Sequence, residues 1–241
     1  MSATDFTSEQ FAAIYPAGIE NHYWTLARNL VVADYLRRYS TGPILDVGAG
    51  RGVVLDFLLQ RNFPIWGVDP APVPVAPELK SFLFTGQTLG DLATDLKNRI
   101  ETVLLLDVIE HLERPEDLLA DLKNNLPNLK TILITVPARS ELWSNYDEFN
   151  AHFRRYERAS LDTRLSRAGW LPARSAYYFH TLYLPAWLLV RLGKKRGTDI
   201  LAPQGFSIRL HFILAKLFYW ESKILPGSWL GSSLVGAFQR P

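Results

Sequence analysis

The stretch that most limits how this chain can fold runs from Pro43 to Gly52, Pro-Ile-Leu-Asp-Val-Gly-Ala-Gly-Arg-Gly. Ile44 to Val47 is a short, mostly apolar run, the pattern of a buried strand. Gly48, Ala49, Gly50, Arg51 and Gly52 predict a tight turn, and Val53 opens a helix. Glycine tolerates positive φ and lets another molecule lie against bare backbone. The amides at the start of the next helix add donors and a partial positive field. The unit is therefore a candidate cradle for a nucleotide or cofactor, or else a packing turn.

The rest of the chain alternates strand and helix. Strands are expected at 63–68, 80–85, 102–107, 131–136 and 171–178, with a last one within 231–240. Helices are expected at 7–15, 19–38, 53–60, 91–98, 115–126 and 160–168, then at 182–192 and 208–220. Thr102 to Asp107 is almost wholly apolar, as a strand covered on both faces of a parallel sheet should be. The alternation predicts an α/β, Rossmann-like doubly wound sheet, whose ligands bind outside the carboxyl ends of the strands. Asp46–Gly52, Asp69, Thr85–Thr88, Asp107–His111 and Pro137 all fall at such ends.

A chain of 241 residues can bury one substantial core, or one domain with an added lid. Its net charge of +2 makes no case for a nucleic-acid partner. With no cysteine, disulfides, thiolate metal sites and a thiol nucleophile are excluded. Met1–Tyr15 lacks a signal-peptide pattern, and the longest uncharged run, Ser175–Val190, is short for a span and contains Pro185. A cytoplasmic location is expected, with at most peripheral contact with a membrane.

The third glycine of the dinucleotide pattern G-x-G-x-x-G would fall on Val53, and no Gly-Lys-Ser/Thr follows as in a phosphate loop. Instead Asp46 stands directly before Gly48-Ala-Gly50-Arg-Gly52. That resembles the first motif of class I S-adenosylmethionine-dependent methyltransferases, over roughly 43–137 and more loosely 23–169. The resemblance implies a seven-stranded sheet with one antiparallel strand and S-adenosyl-L-methionine as cofactor. It implies that Gly48, Ala49, Gly50 and Gly52 lie under the methionine part and ribose, with Asp46 supporting the loop and the amino group. Asp69, followed by Pro70, matches the acid that binds both ribose hydroxyls; its bland reading is a turn-forming Asp-Pro pair. Where many members carry an adenine-binding acid after the third strand, this chain has Thr85-Gly86-Gln87-Thr88, with Gln87 and Thr88 as the candidates.

Asp107-Val108-Ile-Glu110-His111-Leu resembles a block of the branch that includes ubiquinone-biosynthesis methyltransferases. Asp107, Glu110 and His111 are spaced to share one face of a helical turn. Glu110, His111 and His152 are the catalytic candidates, a histidine being suited to remove a proton from an acceptor hydroxyl or amine. The bland reading has Glu110 and His111 only orienting the loop under the cofactor. Asp107, Glu110, His111 and His152 also resemble the E-x-x-E-H…H metal site of some relatives, which suits Mg²⁺, Mn²⁺ or Zn²⁺. His22-Tyr23-Trp24 through Arg28 resembles an aromatic helix of this branch, which implies that Tyr23 closes over the cofactor and Arg28 pairs with its carboxylate.

Three regions follow: an N-terminal helical cap (1–42), a cofactor-binding core (43–178) and an apolar helical region with a last strand (179–241). Arg209, Lys216 and Lys223 recur every seven residues as a basic stripe on an apolar helix. This region suits a lid over an apolar acceptor, an interface, or peripheral membrane contact through Trp187, Tyr219 and Trp220 with Arg191, Lys194, Lys195 and Arg196. Methyl transfer to a small, lipophilic acceptor is the expected function. The competing classes are an NAD(P)-dependent oxidoreductase or epimerase on a similar sheet and a non-catalytic membrane-associated binding protein.

Overall fold

Side chains alternate between the two faces of the central strands, and each face meets its own helical layer. The computed structural model describes residues 16–241. Its elements, in order, are α1 (Tyr23–Tyr39), β1 (Ile44–Val47), α2 (Val53–Leu59), β2 (Ile65–Asp69), β3 (Leu83–Thr85), α3 (Thr94–Arg99), β4 (Thr102–Leu106), α4 (Pro115–Asn125) and β5 (Thr131–Pro137). Then come α5 (Asn145–Phe149), α6 (Arg158–Arg167), β6 (Leu171–Tyr178), α7 (His180–Arg191), α8 (Ser207–Ile224) and β7 (Ser233–Gln239). The helix expected at 7–15 lies outside the described residues.

Leu45, Val103, Leu105, Ile132 and Ile134 point into one core, closed by Leu96 of α3, Leu118 and Leu122 of α4 and Leu161 and Leu165 of α6. Their neighbours Ile44, Leu104, Leu106 and Leu133 point into the other, closed by Ala27, Val31 and Leu36 of α1 and Val54, Leu55 and Leu58 of α2. A period of two puts successive side chains on opposite faces, so continuous apolar strands need cover on both. The strand order is β3-β2-β1-β4-β5-β7-β6 in one seven-stranded sheet. The first five strands are parallel, and β7 runs antiparallel to both β5 and β6. The expected seven-stranded, doubly wound sheet is thus present.

Several element boundaries depart from expectation. The first long helix does not begin at Ile19: a 3₁₀ turn covers Ile19–Asn21, and His22, in extended conformation, starts α1 afresh. Its Nδ1 accepts the Trp24 N–H at 3.4 Å, the cap that lets the helix start there. The helix expected at 91–98 is a 3₁₀ turn at Leu89–Asp91 followed by α3. Lys223 leaves the expected basic stripe and pairs with Asp34 of α1, tying α8 to that helix. No helix among the described residues is long and apolar enough to cross a membrane.

Candidate functional site

The glycine turn after β1 has the conformation that its residues permit and others resist. Gly48, Gly50 and Gly52 have φ of 81°, 55° and 80°. A Cβ on Gly48 would lie 2.8 Å from Val108 Cγ2, so Val108 walls the turn from below. Asp69, at the tip of β2, reaches across: Gly50 N–H donates to its Oδ2 at 2.7 Å and Ala71 N–H to its Oδ1 at 2.8 Å. Pro70 lies between those anchors. A carboxylate offers about four acceptor sites, so two amides leave room for two hydroxyl donors. Burial pushes the Asp69 carboxyl up, against the lowering effect of those two N–H bonds. Asp46, buried in β1, is pushed up to about 7 by burial and by Asp69, with Arg28 opposing. Arg28, Asp46, Gly48, Ala49, Val53 and Leu106 line a small cavity against the turn. A larger groove, about 750 Å³ between α4 and α6, holds none of these acids.

At the tip of β4 the chain turns sharply. Asp107 has φ of 55°, a strained conformation for a residue with a Cβ, and a 3₁₀ turn over Ile109–His111 follows. Asp107 therefore does not share a helical face with Glu110 and His111. Its carboxylate accepts from Arg28 Nη1 at 2.5 Å and Thr135 Oγ1 at 3.2 Å, and Arg28 lines the cavity against the glycine turn. Glu110, His111 and His152 do converge, with ligand-type atoms all within 4.8 Å of one another. The four-residue metal set of the sequence reading thus becomes three, with Asp107 held outside it.

Glu110 is fully buried and both its carboxyl oxygens lack a hydrogen-bond partner. Burial, reinforced by Asp107, raises its pKa well above the usual carboxylate range. His111 is lowered to about 4 by burial and by His152, so it is neutral at pH 7. The two imidazole rings meet edge to face at 4.7 Å. His152 is oriented from behind: its Nδ1 is 3.0 Å from Asp147 Oδ1, which also accepts from Arg155 Nε at 2.8 Å. Burial pushes the Asp147 carboxyl up, but the bonds from His152 and Arg155 hold it below its ordinary value. Asp147 itself is fixed by a capping box with Ser144 at the start of α5. The sequence reading missed Asp147; its signal was Ser144-x-x-Asp147, a helix-start pattern beside the histidine.

The remaining candidates lie on the rim. Arg28 stacks on Trp24 at 4.8 Å while bonding Asp107. Tyr23 packs on α8 through His211 and Phe218, its ring centroid 5.4 and 5.5 Å from theirs. Gln87 N–H donates to the Asp69 carbonyl at 3.2 Å, which puts this half-buried residue beside the β2 tip. The Thr88 hydroxyl is engaged with Asp91 at 2.7 Å, capping the 89–91 turn.

A family model described as a methyltransferase domain matches residues 23–172. No curated protein matches. Among solved structures, the chain is similar to a putative methyltransferase of Haloferax volcanii in complex with the Trm112 methyltransferase activator, at 15% identity over 97% of this chain and 96% of that one, TM-score 0.52. It is also similar to magnesium protoporphyrin IX methyltransferase from Synechocystis PCC 6803 with bound SAH, at 14% identity over 97% and 94% of the two chains, TM-score 0.50. A cyclopropane-fatty-acyl-phospholipid synthase-like protein from Lactobacillus casei gives 14% identity over 89% and 90%, TM-score 0.50. At these identities the likeness is one of fold.

Proposed function

Because the chain belongs to the methyltransferase family that its residues 23–172 match, we propose that it moves the methyl group of S-adenosylmethionine to a small acceptor with a lipophilic part. The observation that carries this reading is the Asp69 carboxylate, bonded at 2.7 Å to Gly50 of the bare glycine turn. S-adenosylmethionine, when bound, supplies a methyl already activated by its positive sulfur, so the protein contributes chiefly alignment and exclusion of water. Asp69 would accept the two ribose hydroxyls, Gly48 to Gly52 would form the floor, and Asp46 would hold the ammonium group. Arg28, now on Asp107, would pair with the cofactor carboxylate, and Gln87 would offer its amide to the adenine.

For an oxygen or nitrogen acceptor, His152 is the base. With Asp147 on its Nδ1, the imidazole keeps Nε2 as the proton acceptor. His111, lowered to about 4, is too weak a base near neutral pH and instead fixes the position of its neighbour. Glu110, His111 and His152 also fit a divalent ion, since two imidazoles meet a carboxyl whose oxygens are both orphaned; an ion there would supply a Lewis acid for the acceptor oxygen.

Calorimetric titration with S-adenosylhomocysteine tests the reading. Asp69→Ala should weaken binding by about tenfold or more, the loss of two hydrogen bonds to a charged group. His152→Gln should leave binding intact and lower methyl transfer by about 10²-fold or more. Thermal stabilisation by NAD or NADP rather than by S-adenosylhomocysteine would return the chain to the oxidoreductase class. Loss of turnover in EDTA, restored by one divalent ion, would favour the metal over His152 as base.

A further inference from the structure

The outer face of α8 is the reverse of what a surface helix normally presents. Arg209, Ile213, Lys216, Leu217, Trp220 and Ile224 are all exposed, and their spacing puts them on one face of the helix. The four apolar members are each more than half exposed, from 56% at Ile213 to 75% at Ile224. His211, Ala215, Phe218 and Ser222 form the opposite line. Ala215 is buried in the core beneath α1, and His211 and Phe218 pack on Tyr23. A globular surface helix turns its apolar stripe inward and its polar residues to water. Here large apolar side chains, Ile213, Leu217, Trp220 and Ile224, face outward, together with cations. The surroundings are similar: among the described residues, Phe153 and Leu171 are the only strongly exposed large apolar side chains outside 184–230. Contiguous exposed apolar surface on that scale marks a contact site.

Charge identifies the partner. From 180 to 230 the chain has seven lysines and arginines against two acids, Asp199 and Glu221, and among the described residues only Lys223 of the seven is paired with an acid, Asp34 of α1. Glu221 is turned back to the Thr181 hydroxyl at 2.7 Å. The outer face itself carries no acid, and Lys216 lies over the Phe212 ring at 4.5 Å, its stem along apolar surface and its head outward. A second copy of this chain is a poor fit. In a two-fold pairing of α8 with itself, Lys216, near the middle of the helix, would meet its own counterpart with no acid between them.

We propose that the outer face of α8 docks the protein onto a bilayer surface bearing anionic headgroups, with the helix lying in the plane of the interface. The apolar residues enter the acyl boundary and Arg209 and Lys216 stay among the phosphates, the arrangement of an in-plane amphipathic helix. No helix of the described residues is long and apolar enough to span a bilayer, which accords with a helix that lies on it. The other face of α8 packs on α1, whose Arg28 lines the glycine-turn cavity, so a lipophilic acceptor would leave the bilayer one helix away from the site.

Flotation of the full chain with phosphatidylcholine vesicles, alone and mixed with phosphatidylglycerol, is the test. The wild type should float with the mixed vesicles, weakly or not at all with phosphatidylcholine, and less as salt rises. The Leu217→Asn/Trp220→Asn double variant should partition at least about tenfold less. Lys216→Glu should lose about fivefold or more. S-adenosylhomocysteine binding, unchanged in both, checks that they fold. The proposal is overturned if the wild type floats with neither vesicle or equally with both, or if the double variant floats as well as the wild type. It is equally overturned if the wild type is a dimer that Leu217→Asn/Trp220→Asn turns into a monomer without any flotation having occurred.

Discussion

Gly48 combines both reasons why a single residue type can be required. Its φ of 81° lies where L side chains are strained, and the space a Cβ would need is filled by Val108 at 2.8 Å. Gly48→Ala should therefore cost about 1–3 kcal/mol from the conformation alone, with more as Val108 is displaced. The Asp69–Gly50 bond lies two residues away, so binding of S-adenosylhomocysteine should weaken with it. Gly197 has no atom within 4 Å of its Cβ position and no positive φ, so Gly197→Ala should be neutral or stabilise by about 0.4–1 kcal/mol. Urea midpoints for the two variants compare them directly, and equal midpoints would show that the turn relaxes freely. At this scale the sequence was most informative where chemistry is local. Asp46 and the glycines stand together as strand and turn, and Asp69 ends the next strand, so their places at strand tips are legible from short segments. Asp147 is not, because its role depends on His152 and Arg155 folding back onto it after α5.

Between elements, the contact of α1 with α8 contains a pH-dependent part. His211 Nδ1 accepts the Tyr23 N–H at 3.1 Å, His22 Nδ1 accepts from Trp24, and the two rings lie 5.0 Å apart. Both rings must be unprotonated at Nδ1 to accept. Burial, with His211 adding to it, lowers His22 from 6.5 to about 4. In the unfolded chain the imidazole takes up its proton near 6.5, and in the fold only near 4. Between those values the unfolded state binds more protons, so stability falls as pH is lowered through that window. His22→Asn keeps a good cap and removes the titration. Relative to this variant, the wild type should lose stability between about pH 6.5 and 4, and should not above pH 7. Parallel urea-stability profiles for the two proteins would remove His22 from the pH response. The same elements show why boundaries were harder to read than elements. Val103 to Leu106 could only be a strand between two layers, whereas the restart of the helix at His22 depends on α8, far along the chain.

The order of strands in the whole molecule makes the last segment essential. β7 lies between β5 and β6, with Thr131 to Pro137 paired to Gln239 to Ser233 on one side and Leu171 to Tyr178 on the other. A strand at 231–240 was expected, but its place in the sheet was not legible, since pairing between segments a hundred residues apart leaves no local trace. Leu234 and Phe238 belong to the core under α4 and α6, and Val235 to the core under α1. One strand thus closes both layers. Ending the chain at Gly231 would remove these buried side chains, worth roughly 1.5–3 kcal/mol each, and leave two strands with unpaired edges. That loss is comparable with the roughly 5–15 kcal/mol that holds a domain together. The truncated chain should show no cooperative urea transition and bind no S-adenosylhomocysteine, although every proposed cofactor residue is still in it. Retained binding would mean that β1 to β4 and their helices fold as a unit and that closure by β7 serves only the acceptor side.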